Sequence, residues 1–164
     1  HATCPVIISG RGNNFLYVHK EADQQMALDI IINAKTAKIS ACNALDKVLI
    51  DKNLPNKDAF IKGLVLKLKE FKVEIFGDDA ISKYDGVKAI ESDDIWYHEF
   101  LDYKIAMAEI DSNEVAIAMI NKYSGGHSSS IITSNNPFSF ISFSPHPFTF
   151  KCSPVEDLNE LGTD

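Results

Sequence analysis

Short apolar runs alternate with helix-patterned segments from residue 5 to residue 133, and this alternation constrains the fold more than any other feature. Pro5-Val-Ile-Ile-Ser9 reads as a strand, Gly10 to Asn14 as a turn, and Phe15-Leu-Tyr-Val18 as a second strand. From Glu21 to about Lys35 the spacing turns helical. Ala22, Met26, Ile30 and Asn33 or Ala34 follow three- and four-residue steps, with Glu21 and Asp23 in the first turn, where carboxylates complement the helix dipole. A polar stretch, Thr36 to Asn43, leads to the apolar strand Leu45 to Ile50. Lys57 to Lys72 form a second amphipathic helix with Phe60, Ile61, Leu64, Leu68 and Phe71 on one side. Val73-Glu-Ile-Phe76 is a strand, followed by a short helix near Ala80 to Lys83 and a strand near Val87 to Ile90. Tyr103 to Ile110 is another strand. Asp111, with Glu114 three positions on, caps a helix to about Lys122; Gly125-Gly126 ends it before a strand at Ser130 to Thr133. Strands alternating with helices in this way are βαβ units. The expected fold class is α/β, a mostly parallel sheet flanked by helices.

Bulk properties narrow the function. At 164 residues and 45% hydrophobic content the chain can bury a core without disulfides and is not a disordered segment. A formal net charge of -7, with Arg11 the only arginine, argues against nucleic-acid binding, whose affinity comes from neutralising phosphates with cations. No apolar run reaches the length of a membrane helix. Three cysteines (Cys4, Cys42, Cys152) cannot form a complete disulfide framework, which favours free thiols in a reducing cytoplasm. None lies in a Cys-x-x-Cys pair, and no metal site is expected. A start at His1, running almost directly into an apolar segment, reads as a piece of something longer.

The end of the chain differs from the rest. Five of the ten phenylalanines and three of the six prolines lie between Pro137 and Phe150. Prolines at 137, 145 and 147 argue against a long strand there. The expected organisation is one domain over residues 1–134 and a divergent Phe/Ser/Pro-rich tail over residues 135–164.

Four residues stand out for chemistry. Cys42 lies in the small, polar linker Ser40-Ala-Cys-Asn43 between a helix and a strand, where a thiolate can be held rigidly and still be approached. Backbone N–H groups there and the Asn43 amide could stabilise an oxyanion. His127 occupies the helix-to-strand loop Ser124-Gly-Gly-His-Ser128, and Glu99 sits among the aromatics of Trp96-Tyr-His-Glu-Phe-Leu101, where a carboxylate could hold a ribose hydroxyl. Cys42, His127 and Glu99 each have a plainer reading: a structural cysteine, a solvated turn histidine and a charged rim residue. Gly10-Arg-Gly-Asn lacks the spacing of a phosphate-binding loop.

Considered together these segments resemble gamma-glutamyl phosphate reductase (glutamate-5-semialdehyde dehydrogenase), of the aldehyde dehydrogenase superfamily. The resemblance rests on blocks in the family's order: Pro5-Val-Ile before a glycine turn, Asn33-Ala-Lys-Thr36 with Cys42-Asn-Ala-Leu45, Val73-Glu-Ile-Phe76, Glu99-Phe-Leu101, and Ile120 to Ser128 leading to Ile131-Ile-Thr133. It implies an aldehyde-dehydrogenase-like catalytic domain and a proline-biosynthesis reductase. In that chemistry the acyl phosphate of L-glutamyl 5-phosphate acylates the cysteine, phosphate leaves, and NADPH reduces the thioester to L-glutamate 5-semialdehyde. Carried over, Cys42 is the nucleophile, Asn43 helps to orient the thioester, Glu99 falls where the superfamily holds the nicotinamide ribose, and His127 matches a family histidine of unassigned role. The main coenzyme-binding domain precedes this region in the family and is expected to be missing here. The implied partner is a small molecule, with a homo-oligomer allowed for the full enzyme and a cytoplasmic location. The sequence departs from the family at Gly12-Asn-Asn14, at Asp46, where Glu is usual, and after Ser134. The alternative reading is a non-catalytic remnant or partner-binding fragment of the same fold.

Overall fold

The computed structural model describes residues 12–134. The strand expected at Pro5–Ser9, the tail and the thiols of Cys4 and Cys152 lie outside them. Within them the order is β1 (Asn14–Val18), α1 (Gln24–Thr36), β2 (Leu45–Asp51), α2 (Lys57–Glu70), β3 (Glu74–Gly77), β4 (Val87–Ala89), a 3-10 turn (Asp93–Tyr97), β5 (Lys104–Ile110), α3 (Asn113–Tyr123) and β6 (Ser129–Ile132). The six strands form one sheet in the order β4-β3-β5-β2-β1-β6, and every pairing is parallel. This is the expected α/β architecture. Among the described residues no helix is long and apolar enough to cross a membrane.

Burial on both faces of the sheet explains the largely apolar character of its central strands. All seven residues of β2 are buried. On one face Leu16, Val18, Val48 and Ile50 pack with α1 and α2 through Ile31, Ile61, Leu64 and Leu68. On the other, Phe15, Tyr17, Leu49 and Ala108 pack with α3 and the 3-10 turn through Trp96, Ala116 and Ile120. Buried Asn13 fastens that second layer by donating from Nδ2 to the carbonyls of Trp96 (2.6 Å) and Tyr123 (2.8 Å).

Several local expectations need correction. α1 buries Ala27, Ile31 and Lys35, whereas Met26 and Ile30 are about two-fifths exposed. The segment Met26–Ile32 is apolar almost all round, so more than one stripe satisfies the helical period. Asp23 lies outside the first turn as the N-cap, accepting from the Met26 N–H, and Glu21 precedes the helix. For α3 the cap is Ser112 rather than Asp111, accepting from the Val115 N–H. α2 ends at Glu70; Phe71 is half exposed, and Lys72 turns the chain with φ +58°. Residues 80–83 form turns rather than a helix, held by Asp78, which accepts from the N–H groups of Ala80 and Ile81.

Candidate active site

The sheet's parallel direction gathers the predicted site residues at one end. Gly12 precedes β1, Cys42 precedes β2, Glu99 lies in the loop before β5, and His127 precedes β6; these four strands are adjacent. The residues therefore cluster at the amino ends of the strands. Open α/β sheets more commonly bind ligands at the carboxyl ends. Here that end holds a groove of about 260 Å³ bordered by His19, Asp51, Asp111 and Glu114.

Cys42 is exposed at the end of the polar linker, and Asn43 beside it is exposed as well. Glu99 is partly buried, and Gly12 separates it from the cysteine loop. A Cβ on Gly12 would stand 2.6 Å from Glu99 Oε1 and closer still to the Cys42 carbonyl oxygen. Only a hydrogen at that position lets the carboxylate and the thiol-bearing loop approach so nearly. Gly12→Ala is therefore expected to lower stability by about 1–3 kcal/mol through overpacking and to displace Glu99 or the Cys42 backbone. Urea unfolding measures the first effect and a crystal structure of the variant the second; an unperturbed variant would contradict the contact.

Strand β2 holds the Glu99 segment from beneath, through residues that sequence inspection did not select. The β1–β2 register pairs Asn14 with Leu45 but Phe15 with Lys47, so a bulge at Asp46 resets the alternation. Leu45 thereby returns to the α1–α2 core, while Asp46 and Lys47 meet the loop before β5. Asp46 accepts from the Phe100 N–H (3.1 Å) and pairs with Lys35 of α1 (3.2 Å), both side chains being almost wholly buried. Lys47 donates to the His98 carbonyl (2.7 Å), and its Nζ lies 3.8 Å from the Phe100 ring centroid, a cation–π distance. The residues on either side of Glu99 are thus pinned by the strand that follows Cys42. Burial pushes the Lys47 ammonium down to about 7, against the opposing field of Asp46 and with a smaller push from Lys35. Burial also lowers Lys35, opposed by Asp46. A charged pair inside the apolar run Leu45–Ile50 was the available sign, since such charges seldom enter a core unpaired.

His127 follows the positive-φ pair Gly125 and Gly126. Its Nδ1 lies 2.8 Å from Asn14 Oδ1, and Asn14 Nδ2 donates to the Cys42 carbonyl at 2.7 Å. The structure thus brings Cys42, Glu99 and His127 into one connected neighbourhood. No group of three or more potential metal-binding side chains occurs among the described residues.

These features define the class: the fold is the α/β fold of aldehyde dehydrogenases. It superposes on an acetylating aldehyde dehydrogenase from Geobacillus thermoglucosidasius with a TM-score of 0.56 at 19% identity, covering 78% of this chain and 36% of that one. More particularly, the chain is related to gamma-glutamyl phosphate reductase. The enzyme of that name from Thermotoga maritima matches with a TM-score of 0.74 and 38% identity over 83% of this chain and 32% of its own. The one from Dictyoglomus thermophilum is 47% identical over 131 residues, 79% of this chain. The chain spans about a third of the length of the curated relatives it matches. No family model matches it.

Proposed function

We propose that this chain supplies the thiol-bearing part of an NADPH-dependent reductase that converts L-glutamyl 5-phosphate to L-glutamate 5-semialdehyde in proline biosynthesis. The observation that carries this reading is the meeting of the Cys42 loop and the Glu99 carboxylate across Gly12. Cys42 Sγ attacks the acyl phosphate carbon, phosphate leaves with the C–O bonding pair, and a thioester remains on the protein. Asn43, exposed beside it, would help to orient that acyl group. Glu99 fits a nicotinamide ribose: an acceptor-only side chain, partly buried, held against the thiol-bearing loop by a glycine that leaves no room between them. It would hold ribose hydroxyls, and the coenzyme when bound supplies the hydride. The substrate is a small molecule and the reaction belongs to the cytoplasm.

The acyl-transfer half is testable without coenzyme. Incubation of the chain with acetyl phosphate, a small acyl phosphate, is expected to add one acetyl group at Cys42, removable by hydroxylamine and absent from Cys42→Ser. Intact-mass analysis and peptide mapping follow it. Equal acylation of Cys4, Cys42 and Cys152, or none at Cys42, would favour the non-catalytic remnant instead.

A further inference from the structure

Asn14 is 4% exposed and sits where three strand-leading loops meet. Its Nδ2 faces three carbonyl oxygens, those of Gly12 (2.7 Å), Cys42 (2.7 Å) and Ala44 (3.0 Å). Three acceptors around one end of an amide admit only the NH₂ group there, so the orientation of the Asn14 amide is decided by its surroundings. Its Oδ1 then faces the opposite loop, against His127 Nδ1 at 2.8 Å and the Ser128 hydroxyl. A carbonyl oxygen can only accept. His127 Nδ1 must therefore carry a proton, and in the neutral ring Nε2 is left as the sole acceptor nitrogen. The Ser128 hydroxyl, 3.3 Å from Nδ1, donates to the same oxygen and does not compete for the Nδ1 proton.

We propose that Asn14 is a positioning residue for the reaction at Cys42: it holds His127 in the Nδ1–H form, with Nε2 as its proton acceptor, and ties that histidine's loop to the cysteine loop through one amide. This rests on the acyl-transfer reading given above and assigns its histidine a state. One end of the amide serves the backbone of residues 42–44 and the other the imidazole, so the two loops cannot shift independently without losing hydrogen bonds at a buried group. Solvated imidazoles favour the opposite tautomer, so the arrangement leaves a spectroscopic signature that packing alone would not produce.

The test is a long-range ¹H–¹⁵N correlation spectrum of the ¹⁵N-histidine-labelled chain at a pH where the rings are neutral, with His127→Gln to assign the signal. The wild type is expected to show His127 protonated at Nδ1 and bare at Nε2. Asn14→Asp keeps the acceptor and loses the donors, and retains the Nδ1–H form. Asn14→Leu loses both and reverts to the Nε2–H form. A wild-type His127 protonated at Nε2 would overturn the inference even if neither variant folds, as would a folded Asn14→Leu that keeps the Nδ1–H form. Absence of an acyl adduct at Cys42 counts against the catalytic reading alone, and a protonated Nε2 against this assignment alone.

Discussion

Asp46→Ala is expected to cost about 3–5 kcal/mol of folding stability, because it strands a lysine in the core. Lys35 has no exposed surface, and Asp46 is its ion-pair partner. Removing the carboxylate leaves the ammonium with the desolvation cost of burial, offset only by the weaker field of Asp102, and it also frees the Phe100 N–H. The pair itself need not be stabilising, since a hydrophobic replacement avoids the desolvation of both ions. The double variant Lys35→Met, Asp46→Leu is therefore expected to recover most of the loss, whereas independent effects would simply add. Urea unfolding at pH 7 of the wild type, both single variants and the double gives the coupling directly. A single-variant loss below about 1 kcal/mol, the range of exposed pairs, would show that solvent reaches Lys35. Because Asp46 also holds the backbone next to Glu99, the double variant separates two roles: stability returns, but the Phe100 N–H remains without its carboxylate.

The parts of this structure that were legible in the sequence are those where one periodic pattern admits one solution. β2 and β5 are mainly apolar runs bounded by polar loops, and α2 has a single apolar stripe; all three occur close to their expected positions. α1 failed on its buried face because Met26–Ile32 offers apolar residues in nearly every direction, and only packing against α2 selects Ala27 and Ile31. The cap of α3 failed for a similar reason, as Asp111 and Ser112 are both good caps and Glu114 follows either one. At the candidate site the exposed position of Cys42 was legible from its small, polar linker, although a structural cysteine was an equally good reading of those residues alone. Glu99 and His127 had equally good plain readings from their own residues, and resemblance to a family singled them out. Asn14 was read as part of a turn, because nothing local reveals an amide whose partners lie 28 and 113 residues away. The bulge at Asp46 was equally hidden. Without it Asp46 and Lys47 look like polar interruptions of a strand, whereas in the fold they reach across to the loop that carries Glu99.

Lys47 makes the stability of the domain rise with pH above neutrality, opposite to the usual behaviour of a lysine that has gained an ion-pair partner. Its folded-state pKa is pushed down to about 7, while in the unfolded chain it returns to about 10.4. Between those values the unfolded chain binds more protons than the folded one, so unfolding becomes harder as pH rises, by up to about 1.4 kcal/mol per pH unit. Below pH 7 both states are protonated, and the cost of burying the ammonium is present in full. Lys35 is shifted in the same direction. Tyr84, raised to about 12, acts oppositely, but only above about pH 10, where the unfolded tyrosine ionises first. From pH 7.5 to 9.5 the wild type is therefore expected to gain about 2–3 kcal/mol in urea unfolding. Lys47→Met, which has nothing to titrate, should lose about one proton's worth of that slope. Equal slopes in the two proteins would mean that Lys47 titrates normally and that water reaches its ammonium. Deprotonation removes the cation–π attraction to Phe100 but leaves N–H groups that still donate to the His98 carbonyl. The hold on the Glu99 segment therefore survives across the same pH range in which the fold gains stability.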